Sequence, residues 1–172
     1  ISRLEAGQMK ISTSKMRLDE LMLEVIEMLE PLIHEKSLQC LHQFQTESDW
    51  QESRTESGES YVNPFMLVSD SAILRQVLIN LMGNAIKFTE PGGLITIALL
   101  RRCDGFRVDL EDNGCGIPEE QLETIFQVFK QADSGNPHTR EGTGLGLALV
   151  HSLAELLGAR ISVKSKLGTG SV

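Results

Sequence analysis

The segment SAILRQVLINLMGNAIKF carries Gln76, Asn80, Asn84 and Lys87 at steps of four, four and three. On a helix this spacing sets the four side chains on one stripe, with Gly83 beside it. The rest of the circumference is apolar, with Leu74, Val77, Leu78, Leu81 and Ala85 on one side and Ile79, Met82 and Ile86 on another, so the helix must be largely buried. Asparagine is a poor residue for a helix interior because its amide competes for backbone hydrogen bonds, and burying it unpaired costs roughly 1–3 kcal/mol. Something polar must face the stripe. Neighbouring loop backbone and a ligand both fit, and the helix alone does not choose between them.

Two glycine boxes follow. DNGCGIP places Asp112 ahead of Gly114 and Gly116, and alternate glycines permit sharp turns and close approach of a flat ligand to the main chain. Taken alone, this box is weak evidence and reads first as an ordinary hairpin exit. EGTGLGLAL sets Gly142, Gly144 and Gly146 where a loop becomes a helix, and the free N–H groups of a helix start, with its dipole, favour phosphate. Between the boxes NPHTRE, residues 136 to 141, reads as flexible, with Phe126 and Phe129 anchoring its entry against the core.

The elements that must position these groups are legible from periodicity. Apolar residues at Leu18, Leu21, Met22, Val25, Met28, Leu29, Leu32 and Ile33 predict an amphipathic helix over 18–36, with a kink or break at Pro31. Alternation at Leu38, Cys40 and Phe44 predicts a strand. Residues 45 to 63, QTESDWQESRTESGESYVN, read as a mobile loop. Strands are expected at 65–69, 94–100 and 106–112, the last two forming a hairpin through Cys103, Asp104 and Gly105. Helices are expected at 71–88, around 119–126 and from about 143 to 157, the last stopped by Gly158. RISVKSK reads as a strand and LGTGSV as a turn into another, cut off before it finishes. This order suggests a mixed sheet with its helices on one face.

Composition narrows the function. A formal net charge of −8 disfavours a nucleic-acid groove. The longest apolar run, LITIALL, is too short to cross a bilayer. No signal peptide opens the chain, and Cys40, Cys103 and Cys115 have neither metal nor disulfide spacing, so a cytoplasmic compartment fits. Cys115 reads as a small buried filler.

The order NLMGNAIKF, DNGCGIP, IFQVFKQAD, GTGLGLAL and GTGSV resembles the N box, first glycine box, phenylalanine box, second glycine box and final glycine turn of sensor histidine kinase catalytic domains, over residues 70 to 172. The leading ISRLEAGQM resembles the end of the second dimerisation helix, so residues 1–12 are expected to be that helix end and a linker, and 13–172 the catalytic domain. The resemblance implies the α+β two-layer sandwich of the Bergerat fold, shared with DNA gyrase, a heat-shock chaperone and mismatch-repair ATPases, with a mainly antiparallel sheet. It implies ATP and Mg²⁺ as ligands, a cytoplasmic domain of a homodimeric parent, and as partners the parent's own phosphoacceptor domain and a response regulator or receiver domain. Whether the parent is membrane-anchored stays open. FKQAD resembles the variant of hybrid kinases.

By the same resemblance Asp112 accepts the adenine amino group, with Ser171 near it through water and Gly114 and Gly116 shaping the loop. Asn84 holds Mg²⁺, Asn80 sits beside it, and Lys87 neutralises phosphate charge; Asn80 and Lys87 are the catalytic candidates. Gly142, Thr143, Gly144, Leu145 and Gly146 cradle phosphates, and residues 130–141 form a lid. Where many relatives carry an aromatic residue and Arg after the phenylalanine box, this chain has Lys130 and Gln131, leaving Lys130 or Arg140 for phosphate; Glu141 stands where Gly is common. No H-E-x-R-T-P-like acceptor motif is present, and His34-Glu35 is its nearest imitation. The hydrolytic relatives place a water-activating glutamate where this chain has Asn80, and an amide takes no proton at neutral pH. Three functions are therefore carried forward: kinase catalytic domain, hydrolytic ATPase, and nucleotide-binding module without chemistry.

Overall fold

The structure is a computed structural model, and it describes residues 10–47, 63–127 and 145–172. Three helices and two sheets are present among the described residues. Strand β1 (Ser14–Arg17) leads into helix α1 (Leu18–Glu35), followed by β2 (Gln39–Thr46), β3 (Met66–Ser69) and α2 (Ser71–Phe88). The hairpin β4 (Leu94–Arg102) and β5 (Gly105–Asp112) comes next, then a 3-10 turn (Glu119–Gln121), α3 (Gly146–Leu156), β6 (Ser165–Lys166) and β7 (Gly170–Ser171).

The main sheet runs β2-β4-β5-β7-β6, parallel only between β2 and β4. It is thus mixed and mainly antiparallel, and with the helices layered on it the fold is α+β, as the sequence order implies. Antiparallel β1 and β3 form a separate ribbon, pairing Ser14 with Ser69 and Arg17 with Met66. The sequence reading missed β1, because four residues alternating weakly beside a helix start carry no periodic signal.

The core lies between α1, α2 and the inner face of β4. Ile95, Ile97 and Leu99 alternate inward from β4 to meet Leu21, Met22, Val25 and Leu29 of α1 and Leu78, Met82 and Ala85 of α2. Each fully buried large apolar side chain contributes roughly 1.5–3 kcal/mol over leaving it exposed. Helix α3 buries Ala148, Val150, Leu153 and Ala154 and packs on α2.

Pro31 does not break α1, which continues to Glu35. Both Pro31 and Glu27, whose carbonyl loses its partner, are exposed, so the freed oxygen need not be buried unpaired. The helix expected at 119–126 is only a 3-10 turn followed by further turns, since Ile125 alone is buried there and one apolar contact does not hold an α-helix. The strand expected at 160–166 is reduced to Ser165–Lys166, extended by mutual backbone bonds of Lys164 and Val172 at 2.8 Å. Most of the loop at 45–63 lies outside the described residues, and β2 reaches Thr46.

Candidate functional site

Helix α2 carries the polar stripe and is fixed at both ends. At its N-terminus buried Asp70 accepts hydrogen bonds through Oδ1 from the N–H groups of Ala72 (3.0 Å) and Ile73 (3.1 Å), and through Oδ2 from Ser12 N–H (2.8 Å). These bonds, Ser12 first, hold its carboxyl below the usual aspartate value. At the C-terminus the Lys36 ammonium donates to the carbonyls of Ile86 (2.9 Å), Lys87 (2.7 Å) and Thr89 (3.0 Å). A cation there satisfies orphan carbonyls and suits the helix dipole.

Along the stripe, Gln76 is exposed and Asn80, Asn84 and Lys87 are half-buried. Asn80 Nδ2 donates to Gln76 O at 2.7 Å, so its amide nitrogen is satisfied within the helix. Its oxygen faces another element: a β-carbon built on Gly146 would lie 3.6 Å from Asn80 Oδ1 and 3.9 Å from both Oδ1 and Nδ2 of Asn84. The start of α3 thus lies against the two asparagines. Leu145, at that start, has no side chain able to cap the helix, and N–H groups at a helix start can serve other acceptors. Lys87 Nζ lies 4.7 Å from the centroid of the Phe88 ring. Among the described residues no group of His, Cys, Asp and Glu could hold a metal ion. An amide oxygen such as that of Asn84, with phosphate, is a donor set that fits Mg²⁺.

The first glycine box folds against the far end of α2. Cys115 N–H donates to Phe88 O at 3.2 Å, and a side chain on Gly114 would collide with that same carbonyl. Gly116, at φ +68°, presses on the Lys166 carbonyl, where any side chain would also collide. Asp112, at the end of β5, is half-buried and accepts from Gly114 N–H at 2.9 Å. Burial pushes its carboxyl above the usual value, against the lowering effect of the Gly114 and Ser171 backbone N–H groups. Ser171 pairs with Asp112 across β5 and β7. Burial likewise raises the Cys115 thiol, in keeping with a filler role.

The structure therefore brings Asn80, Asn84 and Gly146 together, and Asp112, Gly114, Gly116 and Ser171 together where the first glycine box meets the C-terminal end of α2. Lys130, Arg140, Gly142, Thr143, Gly144 and the expected lid at 130–141 lie outside the described residues. His34 is largely exposed on α1, its Nε2 3.4 Å from Glu30. Sequence reasoning missed Lys36 and Ser165. Ser165 Oγ accepts from Ile117 N–H at 2.7 Å and lies 2.9 Å from Ser171 Oγ. Neither residue has a local pattern that could have revealed it, since every partner is distant in sequence or lies in a loop.

The amide stripe of α2 thus faces the start of α3, and the C-terminal end of α2 seats the first glycine box. The family model described as histidine kinase-, DNA gyrase B- and HSP90-like ATPase matches residues 69–172, and the chain belongs to that family. Autoinducer 2 sensor kinase/phosphatase LuxQ of Vibrio cholerae is 33% identical over 173 residues, covering 99% of this chain and 18% of LuxQ. Sensory/regulatory protein RpfC of Xanthomonas campestris is 35% identical over 179 residues, covering 100% of this chain and 22% of RpfC. Full-length ShkA, solved with AMPPNP, superposes with a TM-score of 0.77 at 28% identity, over 99% of this chain and 32% of ShkA. The catalytic domain of histidine kinase ThkA gives 0.71 at 27% identity, over 93% of this chain and 91% of that domain. Within the family, the chain is of the sensor histidine kinase catalytic-domain type. No helix among the described residues is long and apolar enough to cross a membrane.

Proposed function

We propose that this chain binds Mg-ATP and donates the γ-phosphoryl group to a histidine on a dimerisation domain of its parent protein. The observation that carries this reading is the seating of Gly146 against Asn80 and Asn84, which sets a helix start, a place suited to phosphate, beside amides suited to a metal ion. In the proposed arrangement Asp112 accepts the adenine amino group, Asn84 offers its oxygen to Mg²⁺, and Lys87 leaves the Phe88 ring to meet phosphate. When bound, Mg²⁺ screens phosphate charge. The acceptor imidazole nitrogen attacks the γ-phosphorus as the bond to the β-γ bridging oxygen breaks; ADP leaves, and the displaced ring proton passes to solvent. The protein contributes positioning and electrostatics.

Asn80 carries no carboxylate and already spends its amide on Gln76 O, which supports slow hydrolysis and disfavours the gyrase-like alternative. A nucleotide binder without chemistry is separated from a kinase by the labelling experiment below. In this reading residues 1–12 are the end of a dimerisation helix and its linker, 13–172 are the catalytic domain, and residues 130–141, with Lys130 and Arg140, close over ATP. The parent acts as a homodimer with this domain in the cytoplasm and passes phosphate to a response regulator; ThkA has been solved with its response regulator TrrA, in a structure whose likeness here, at 22% identity, is one of fold.

Incubation with γ-labelled ATP should leave residues 1–172 unlabelled with little phosphate released, whereas a chain extended upstream through an acceptor helix should gain acid-labile label. Rapid phosphate release would favour the hydrolytic reading, and an extended chain that bound ATP without labelling would favour the silent binder. Asp112→Asn turns one acceptor oxygen into a donor and should weaken ADP by roughly 1–3 kcal/mol by calorimetry. Unchanged affinity in a folded variant would remove Asp112 from the site.

A further inference from the structure

Helix α1 repeats its buried face every seven residues, and the repeat fails halfway along. Leu21 and Val25 are 3% and 2% exposed, whereas Met28 and Leu32, seven residues on, are 54% and 46% exposed. Seven residues is close to two turns, so each pair occupies the same line of the helix. The neighbouring helix accounts for the change. Glu24 of α1 meets Arg75 of α2 at 2.6 Å, and Lys36, at the end of α1, donates from Nζ to the Lys87 carbonyl at 2.7 Å. The two ties are equally spaced on both helices, so the stripes 24-28-32-36 and 75-79-83-87 run side by side, with Met28 level with Ile79 and Leu32 level with Gly83. Ile79 is half-buried, and a β-carbon built on Gly83 would meet nothing within 4 Å. At Gly83 the α2 wall has no side chain to lay over Leu32. Between the polar ties there remains an apolar groove, about 18 Å from tie to tie at the rise of an α-helix.

We infer that the groove between α1 and α2 is a docking site for a basic amphipathic helix of a partner protein. Two apolar side chains one helical turn apart, opposite a glycine dent, match the anchor spacing of a helix laid between two others. Exposed methionine and leucine in such a groove are burial left undone, which an apolar stripe on a partner completes. Charge chooses the partner. Glu27 and Glu35 stand exposed on the solvent side of Met28 and Leu32. The cations at the two ends are engaged, Arg75 by Glu24 and Lys36 by the carbonyls at the end of α2. The groove therefore offers negative charge along its rim, and lysines or arginines flanking the apolar stripe of a partner would meet it. A second copy of this chain, with a formal net charge of −8, and an anionic lipid surface both bring the wrong sign. Met28, Leu32 and Ile79 take no part in the nucleotide reading, so the inference stands apart from it.

The test uses the whole chain and a fluorescent helical peptide with leucines at alternating steps of four and three and lysines on its remaining face, beside a twin with glutamates in place of the lysines. Anisotropy should show the lysine peptide binding at least about tenfold more tightly than its twin, and amide NMR should place the largest shifts around Met28, Leu32, Ile79 and Gly83. Gly83→Leu fills the dent, gains helix propensity and has room for its side chain, so it should fold and weaken the peptide about tenfold. Leu32→Gln removes an exposed anchor and should weaken it in the same direction. Should Gly83→Leu fail to fold, Leu32→Gln alone decides. Equal affinity for the two peptides, shifts centred elsewhere, or binding that the folded variants leave unchanged would overturn the inference. So would a wild-type dimer in sedimentation that Leu32→Gln dissolves, which would make a second copy the occupant. Binding to phosphatidylserine vesicles that the same variant abolishes would make it a membrane surface and would overturn the inference equally.

Discussion

The two ends of α2 are held by opposite strategies. At the N-terminus Asp70 caps residues two and three positions along the chain, and the cap is complete as soon as the first turn forms. At the C-terminus the last turn has no local cap, and Lys36 supplies all three donors of one ammonium from 50 to 53 positions away. The Phe88 carbonyl inside that turn is the seat of the first glycine box. The end that seats the first glycine box thus depends on the tertiary fold, whereas the N–H groups at the start of the helix are capped by the neighbouring Asp70, whose second oxygen Ser12 N–H anchors.

The largest effect that would test this contrast is Lys36→Met, which keeps the aliphatic stem and leaves three carbonyls without their cation. Denaturant unfolding should show a loss of roughly 2–3 kcal/mol. A loss no larger than that of an ordinary surface substitution would mean that water replaces Lys36 and that the contrast is false.

Next in size is the acid response of the two aspartates. The folded value of Asp70 lies below its unfolded one, so its contribution is complete above the unfolded value of 3.8 and is lost as pH falls through the folded value. Asp70→Asn keeps a capping oxygen but removes the charge, and thermal melts between about pH 5 and pH 2 should flatten relative to wild type. Asp112 works with the opposite sign. Its folded value is raised, so the cost of burying its charge is relieved as pH falls through that value, and Asp112→Asn should remove this gain. Acid profiles for the two variants that bend the same way would contradict these environments.

The smallest effect belongs to the middle of the helix. Asn80→Ala deletes one bond to the neighbouring Gln76 carbonyl and gains helix propensity, so stability should change by about 0.5 kcal/mol or less. A large loss would mean that Asn80 supports the fold, and that the stripe is structural rather than reserved for a ligand.

The same contrast explains what could be read from the sequence. The bounds of α2, the β4-β5 hairpin and the stop at Gly158 follow from periodicity and turn chemistry, which act over a few residues. The stripe on α2 and the turn of the first glycine box were legible for the same reason. That Gly146 lands on Asn80 and Asn84 was implied only by resemblance, since helix packing has no local signature. Lys36 and Ser165 were invisible because their partners are carbonyls and amides, which every residue owns. The 3-10 turn at Glu119–Gln121 shows the reverse failure, a stretch that looked helical but lacked the burial to stay so.

The Lys36 cap has a consequence for how the chain folds. The last turn of α2 cannot be finished until α1 has docked, and α1 is the earlier of the two in the chain, so the partner for those carbonyls is already available when α2 forms. Closing a loop of this kind grows costlier only with the logarithm of its length, by about 0.6 kcal/mol per doubling. The segment between β2 and β3 can therefore lengthen or shorten greatly with little effect on how completely the floor beneath the first glycine box is assembled.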